Sequence, residues 1–441
     1  VNNSPRVYLS LFGLALTLTG CGAQQALPIK AGMGPHPALP EPNSSLLPTV
    51  NIAPAVGWPT GATPQAGNGL QVAAFAKGLD HPRWLHVLPN GDVLVAETNA
   101  PAKPEGSGGV KEWVANRVMT KAGATTPSAD RISLLRDSNG DGVADQRTVF
   151  IDNLHSPFGM ALVGNDLYVA NTDGVVRFPY HADQTQISTP GELVTALPAG
   201  TLNHHWTKNL IASPDGSKLY AAVGSNSNVA ENGLEQEQGR AAIWEIDPTT
   251  GSKRIYASGL RNPVGMAWES YSSTLWTVVN ERDELGNDLV PDYMTSVQDG
   301  GFYGWPWSYY GQHLDERVSP RNPAQVATAL VPDYALGAHT ASLGLSNAVG
   351  SRLPAPFTEG LFIGQHGSWN REPHSGYQVL FVPFKEGRPN DAPYTVLDGF
   401  LNAKGEAQGR PVGVAIDGQG ALLVADDVGN VIWRVSAADQ P

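Results

Sequence analysis

The sequence predicts an all-β protein built as a six-bladed β-propeller, and three observations lead there. From Gly69 onward, short β-branched and aromatic runs alternate with Gly, Asn-Gly and Asp-Gly, the pattern of strands joined by tight turns. Helical periodicity is weak throughout. A unit of strand, turn and second strand, opening on x-Pro-x-Gly and an apolar residue or on a variant of that motif, recurs six times between Gly78 and Asp427.

The first element is a leader. Residues 1–20 carry one positive charge, Arg6, ahead of an apolar run from Val7 to about Leu18. That run is too short to span a bilayer and suits a signal-peptide core. Leu18-Thr19-Gly20-Cys21 resembles a bacterial lipobox, so Cys21 is expected to be lipidated and the mature chain to be an exported, membrane-anchored lipoprotein facing the periplasm. Cys21 is the single cysteine, which excludes an intramolecular disulfide and Cys-based zinc, haem or iron–sulfur sites. Residues 21–68, rich in Pro, Ala, Gly and Ser, read as a tether, and 69–441 as the propeller.

Within the propeller the clearest units are Gly78–Thr98, Gly259–Glu281 and Gln408–Asp427. Asn153–Asp173 and Thr201–Ser225 follow the same plan, and Thr340–Gly367 has a longer turn. The last strand, Gly429–Val435, is expected to share a blade with Gly69–Ala76 and so close the ring. Loops that open each unit meet at one mouth of the channel. This gathers His81, His155, His204 and His205, Arg261 and Asn262, His339 and Arg410 from six distant places.

Composition narrows the chemistry. With 41% hydrophobic and 16% charged residues, the chain can bury a core. Its 49 glycines and 35 prolines suit many turns. A net charge of −13 argues against a nucleic-acid partner, because phosphate binding needs clustered Lys and Arg. Of the adjacent pair His204 and His205, one is expected to face the channel and the other away, since neighbours in an extended segment point to opposite sides. Their spacing from the other histidines matches no standard zinc ligand set. The acidic stretch Asn280–Tyr293, with Glu281, Asp283, Glu284, Asp288 and Asp292, suits either a hard cation such as calcium or a solvated loop. Asp137–Asp145 follows the first part of an EF-hand loop but has Thr148 at the twelfth position and no flanking helices, so a tight turn with weak calcium affinity is the better reading. Gly301–Pro306 reads as a packed aromatic turn, with Tyr303 and Trp305 as rings on which a cofactor or sugar stacks in the alternative.

Five motifs occur in order: "HHWTKNLIASPDG", "GLRNPVGMAW", "DGGFYGWP", "GLFIGQHGSWNR" and "GRPVGVAIDGQG". Together they resemble the quinoprotein sugar dehydrogenases of the soluble glucose and aldose dehydrogenase type, in particular the L-sorbosone dehydrogenase-like branch, from about Leu70 to Val435. The resemblance implies a propeller that binds pyrroloquinoline quinone and calcium and oxidises a sugar or a sugar-derived aldehyde. It places the catalytic base on His205, four residues before Asn209-Leu210, where the family has Arg in place of Asn209. Arg261 and Asn262 match an Arg-Asn pair that contacts the quinone, Arg261 lying near its reactive carbonyl. Calcium in the family is held partly by backbone carbonyls in the loop after that blade, which maps approximately to Asp283 and Glu284, and Arg410 matches an arginine on a cofactor carboxylate. Other positions depart: His155 stands near a family Gln, His339 near a Thr, Arg371 is the nearest cation to a family Lys, and Gln408 replaces a second Arg. On this reading a neutral His205 takes the hydroxyl proton while hydride leaves the same carbon for the quinone, and calcium and Arg261 stabilise the developing negative charge. No Cys-x-x-Cys-His motif is present, so a separate acceptor, a cytochrome or a membrane quinone, is implied. Two other readings stand beside it: a calcium-dependent lactonase, which needs acidic side chains converging on the channel axis, and a non-catalytic propeller that binds carbohydrate or protein.

Overall fold

A computed structural model describes residues 26–43, 49–102 and 120–438. The leader and Cys21 lie outside the described residues. The described chain is nearly all β and forms six antiparallel blades. Blade I comprises Pro82–Val87, Val93–Glu97, Arg131–Arg136 and Gln146–Ile151, and blade II Met160–Val163, Asp166–Asn171, Gly174–Pro179 and Glu192–Ala196. Blade III runs through Lys208–Ala212, Leu219–Val223, Ala242–Ile246 and Lys253–Ser258. Blade IV has Pro263–Trp268, Leu275–Val279, Pro291–Ser296 and Tyr334–Ala338, and blade V Ser342–Asn347, Gly360–Gln365, Gln378–Lys385 and Tyr394–Asp398. Blade VI takes Pro411–Ile416, Leu422–Asp426 and Val431–Ala437 from the end of the chain and Leu70–Lys77 from its beginning. The expected closure of the ring is therefore present, with Val435 opposite Val72 and Ile432 opposite Ala76.

Burial explains the sequence pattern of each blade. Second strands such as Val93–Glu97, Leu219–Val223 and Leu275–Val279 are buried along their whole length. A neighbouring blade covers each face, so they read as continuous apolar runs rather than alternating ones. Outer strands such as Glu192–Ala196 carry exposed residues. Inner strands crowd around the axis, and this accounts for the glycine of the repeat. A methyl group on Gly344 would lie 2.0 Å from the Val412 carbonyl oxygen of blade VI, and one on Gly159 would lie 2.1 Å from the Leu210 amide nitrogen of blade III. Trp84, Phe158 and Trp206 fill the space between the first three blades, Phe158 meeting Trp206 edge-on at 6.0 Å.

The stretch read as a tether is, where described, laid against the propeller. Met33–Gly34 adds a strand to the outer edge of blade IV, and Gln65–Ala66 adds one to blade V. Ala53 is completely buried, and the Ala407 amide donates to the Pro54 carbonyl at 2.7 Å. Backbone hydrogen bonds hold this strap, and they leave no hydrophobic period in the sequence. The aromatic turn is packed: Tyr303 and Trp305 are buried, and the Tyr303 hydroxyl donates to the Ser296 carbonyl at 2.6 Å. In the Asp137–Asp145 turn, Asp137 accepts the loop's own amides from Gly140 at 2.9 Å and Gly142 at 2.8 Å.

Replacing Gly344 by Ala is expected to destabilise the protein by roughly 1–3 kcal/mol, because the added methyl overpacks against backbone that cannot move aside. Thermal unfolding of the variant against wild type checks this; an unchanged Tm would contradict the packing account.

Candidate functional site

Each side chain expected at the mouth precedes the innermost strand of its blade, where the chain turns in from the preceding blade. His205 is the best-defined of them. Its Nδ1 lies 2.8 Å from the Ser225 carbonyl oxygen and 3.0 Å from Ser225 Oγ. A carbonyl only accepts, and Ser225 Oγ already donates to the Ser227 carbonyl at 2.6 Å, so Nδ1 carries the proton. This leaves a lone pair on Nε2. Burial, helped by Arg261 and His204, holds the pKa of His205 well below 6.5, so the ring is neutral. Gly224 allows the approach: a methyl there would sit 2.3 Å from Asn262 Oδ1 and 2.5 Å from His205 Cβ. The Ser225 amide donates to the Arg261 carbonyl at 2.7 Å, which ties the imidazole's support to the next blade.

Arg261 is buried and fully engaged. Its Nη1 donates to the carbonyls of Glu281 at 2.7 Å and Asn280 at 3.1 Å, and its Nη2 to Asn228 Oδ1 at 3.0 Å. Asp283 lies 3.7 Å from the same Nη2. His339 places Nδ1 3.3 Å from Asp283 Oδ1 and Nε2 2.9 Å from the Gly286 carbonyl. Both neighbours are acceptors, so both ring nitrogens carry protons and His339 is an imidazolium. Burial alone would lower its pKa; Asp283 outweighs burial and raises it. Burial likewise works against the Asp283 carboxylate, but His339, Arg261 and the Asn370 amide, 2.8 Å away, draw its pKa down to about 2.

This geometry corrects the expected calcium ligands. Asp283 faces His339, Asn370 and Arg261, whereas Glu284 is exposed and lies 3.7 Å from Arg317 Nη1. The two carboxylates do not converge, and among the described residues no group of three or more His, Asp, Glu or Cys is arranged to hold a metal. The pair does not fit calcium, because protein cations already neutralise both members. Arg371 also departs from its expected place. It donates to the carbonyls of Leu27 at 2.8 Å, Pro373 at 2.9 Å and Asn287 at 3.0 Å and to Asp288 at 3.1 Å, pinning the strap instead of facing the mouth. His155 stays on the exposed rim, its Nδ1 2.8 Å from Asp173.

Across the mouth, blades V, VI and I meet at Asp427. Its Oδ2 accepts from Arg83 Nη1 at 2.6 Å and from His366 Nε2 at 2.9 Å, with His81 Nε2 3.6 Å away. Burial would raise the pKa of Asp427; His366, His81 and Arg83 outweigh it and hold the carboxyl far below the usual range. Burial pushes His366 down to about 4. Beside this group, Arg410 is buried, stacks its guanidinium 4.9 Å over the Tyr377 ring and donates to the strap carbonyl of Ala53 at 3.3 Å. Sequence reasoning passed over Arg83, His366, Asp427, Asn370 and Asn228, because they lie away from the turn ahead of each blade. "GQHGSWNR" was the one signal that contained two of them.

Several buried polar atoms around the mouth have no partner among the described residues: Asn262 Oδ1, Asn370 Oδ1, Asp427 Oδ1, His81 Nε2 and the Nε atoms of Arg83 and Arg410. Each such atom costs about 1–3 kcal/mol unless a ligand or water meets it. Donors, acceptors and fixed cations set in one ring fit a flat, polyanionic ligand that also carries carbonyls. A quinone tricarboxylate meets that description.

Residues 129–297 and 317–438 match the TrAA12-like family. A pyrroloquinoline quinone-dependent pyranose dehydrogenase of Coprinopsis cinerea is 23% identical over 426 residues, covering 82% of this chain and 53% of that protein. The chain thus spans about half the length of this relative. An aldose sugar dehydrogenase of Escherichia coli (strain K12) is 22% identical over 280 residues, covering 60% of this chain and 68% of the relative. Among solved structures, the holo pyranose dehydrogenase PQQ domain of Coprinopsis cinerea superposes with a TM-score of 0.67 at 20% identity, over 88% of this chain and 100% of that one.

The His339–Asp283 pair has a pH signature. Because the folded pKa of His339 is raised, its stabilisation is complete below about pH 6.5 and is lost as pH rises through the folded value. Asp283→Asn removes the partner and leaves burial to lower that pKa. Urea unfolding across this range is expected to show the stability advantage of wild type over Asp283→Asn shrinking as pH rises; an advantage that does not change with pH would contradict the ion pair.

Proposed function

The chain belongs to the TrAA12-like family, and from that premise we propose that it oxidises a sugar, or a sugar-derived aldehyde of the L-sorbosone type, with pyrroloquinoline quinone as its cofactor. The observation that carries the proposal is His205, a neutral imidazole with Nδ1–H fixed on Ser225 and Nε2 free of protons, set in a ring of cations and unpartnered polar atoms.

When bound, the quinone supplies a two-electron hydride acceptor, which no side chain offers. His205 Nε2 takes the proton of the substrate hydroxyl, which for an aldehyde is that of its hydrate, as hydride leaves the carbon that bears it. Asn262, Arg83 and Arg410 would hold the cofactor through the atoms that lack protein partners, with Tyr377 stacked on the Arg410 guanidinium. Arg261 and the His339 imidazolium supply fixed positive charge on the same side as the base, where negative charge grows during the transfer. No step is assigned to calcium. A lactonase would instead need free carboxylates at the axis, and Asp283 and Asp427 are both bound by cations.

Reoxidation by a separate acceptor, a cytochrome or a membrane quinone, belongs to the same proposal. So does a periplasmic lipoprotein anchored through Cys21, which the leader and its lipobox support.

Titration of the apo-protein with pyrroloquinoline quinone is expected to change the quinone absorbance and raise the Tm. The loaded protein is expected to reduce an artificial dye with a member of a sugar and aldehyde panel. His205→Ala should lower turnover by about 10²–10⁴ with the quinone still bound. A titration without spectral or thermal change would overturn the cofactor, and full turnover by His205→Ala would overturn the base.

A further inference from the structure

Lys208 opens the innermost strand of blade III three residues after His205, and its side chain is completely buried. A lysine is almost never fully buried unless paired, because losing hydration is expensive. Its one acceptor among the described residues is the Trp206 carbonyl, 3.1 Å from Nζ. That carbonyl also accepts from the Thr172 hydroxyl of blade II at 2.9 Å. Thr172 Oγ1 in turn accepts from Asn203 Nδ2 at 2.8 Å, and Asn203 Oδ1 accepts from Arg240 Nη1 at 3.0 Å. The peptide that follows the proposed base is therefore gripped by donors from two different blades.

The other restraints on His205 act from the opposite side. Ser225 holds Nδ1, and the His205 amide donates to the Ser225 carbonyl at 3.3 Å. Nothing there restrains the carbonyl side of Trp206. A hydrophobic residue at position 208 would fill the same volume without the desolvation cost, but it could not donate to Trp206.

The charged groups facing the amine are Arg240 from its own blade and Asp173 from blade II, the latter paired with His155. Burial and then Arg240 draw the Lys208 pKa from 10.5 down to about 7, with Asp173 opposing them. Above that pH the amine is neutral, still donates to Trp206, and puts no additional charge beside His205.

We propose that Lys208 is a positioning residue for the base: with Thr172 it clamps the Trp206 carbonyl between two blades and so fixes the turn that aims His205 into the mouth. The role rests on His205 being the base of the proposed oxidation, but the clamp has a readout of its own.

The full chain is compared with Lys208→Met and Thr172→Val, with Thr172→Ser as the variant that keeps the donor. In protein labelled with 15N-histidine, the His205 ring signals, assigned by their loss in His205→Gln, report its tautomer without quinone or sugar. Wild type and Thr172→Ser are expected to show the Nδ1-protonated form, and Lys208→Met and Thr172→Val a mixture of both tautomers. In quinone-loaded protein the last two variants are expected to lose about tenfold or more in kcat, in line with a slightly misplaced base, at unchanged quinone affinity and with KM within about twofold. Unchanged His205 signals in the two clamp variants would overturn the proposal even if turnover fell. If wild type itself oxidises no sugar, the functional reading fails, and the histidine signals still decide the clamp; should Lys208→Met not fold, Thr172→Val decides alone.

Discussion

The pairing of Leu70–Lys77 with Val431–Ala437 is the constraint on which the rest depends. His81, His205, Arg261, His339 and Arg410 stand at the entries to inner strands, so their positions are set by the ring of inner strands and not by their own blades alone. An open ring would let blades VI and I separate, and with them Arg410, Asp427, His81 and Arg83. The closure is reinforced at Asp426, the last residue of the second strand of blade VI. Its carboxylate accepts from the indoles of Trp58 at 2.7 Å and Trp433 at 3.0 Å and from the amides of Arg410 and Gly429 at 2.8 Å. One buried group thus joins the strap, the closing sheet and a mouth arginine. Burial raises its pKa to about 6, and these donors keep the charged form tolerable.

The mouth handles charge by pairing it across blades. Asp427 of blade VI is met by Arg83 of blade I and His366 of blade V; Asp283 of blade IV is met by His339 and Asn370 of blade V. Removing one partner from such a buried pair leaves an uncompensated charge, so these contacts also fix the blades against one another. The same pairing explains why the loop between Asn280 and Asp292, acidic as it is, does not gather its carboxylates. Glu281 is claimed by the neighbouring Arg282, and the others by donors from elsewhere: Asp283 by His339, Glu284 by Arg317, Asp288 by Arg371 and Asp292 by Thr340.

Much of this was legible in the sequence, and the misses share a physical cause. The repeat reveals the blades because a close-packed inner strand demands its glycine and a doubly covered strand demands an apolar run. The same repeat points to His205, Arg261, Asn262, His339 and Arg410, since they lie in the few residues ahead of an inner strand. Errors arose where neighbours in an irregular loop face different ways. Arg371 turns to the strap while Asn370 reaches Asp283; Glu284 turns to Arg317 while Asp283 faces the mouth. No period in one chain distinguishes the inward member of such a pair. The strap was read as a tether for a related reason: it docks through main-chain hydrogen bonds, which any composition can make.

A neutral base among cations has a further consequence. His205 cannot keep a proton while Arg261 stands beside it in a recessed, poorly hydrated site, and this is why its pKa lies so low. Such an imidazole is a poor base toward an isolated hydroxyl. Negative charge placed in the mouth changes the balance, because two opposite charges about 4 Å apart attract by about 1 kcal/mol in bulk water and about 4 kcal/mol at an effective dielectric of about 20. The cations of Arg83, Arg410, Arg261 and His339 are the groups that would bring such an anion in. Ligand and base are then coupled through the field alone: the cations that suppress proton uptake by the empty mouth also recruit the charge that restores it. The mouth thus keeps the His205 ring neutral when empty, and a polyanion held by these cations would make the proposed base more basic.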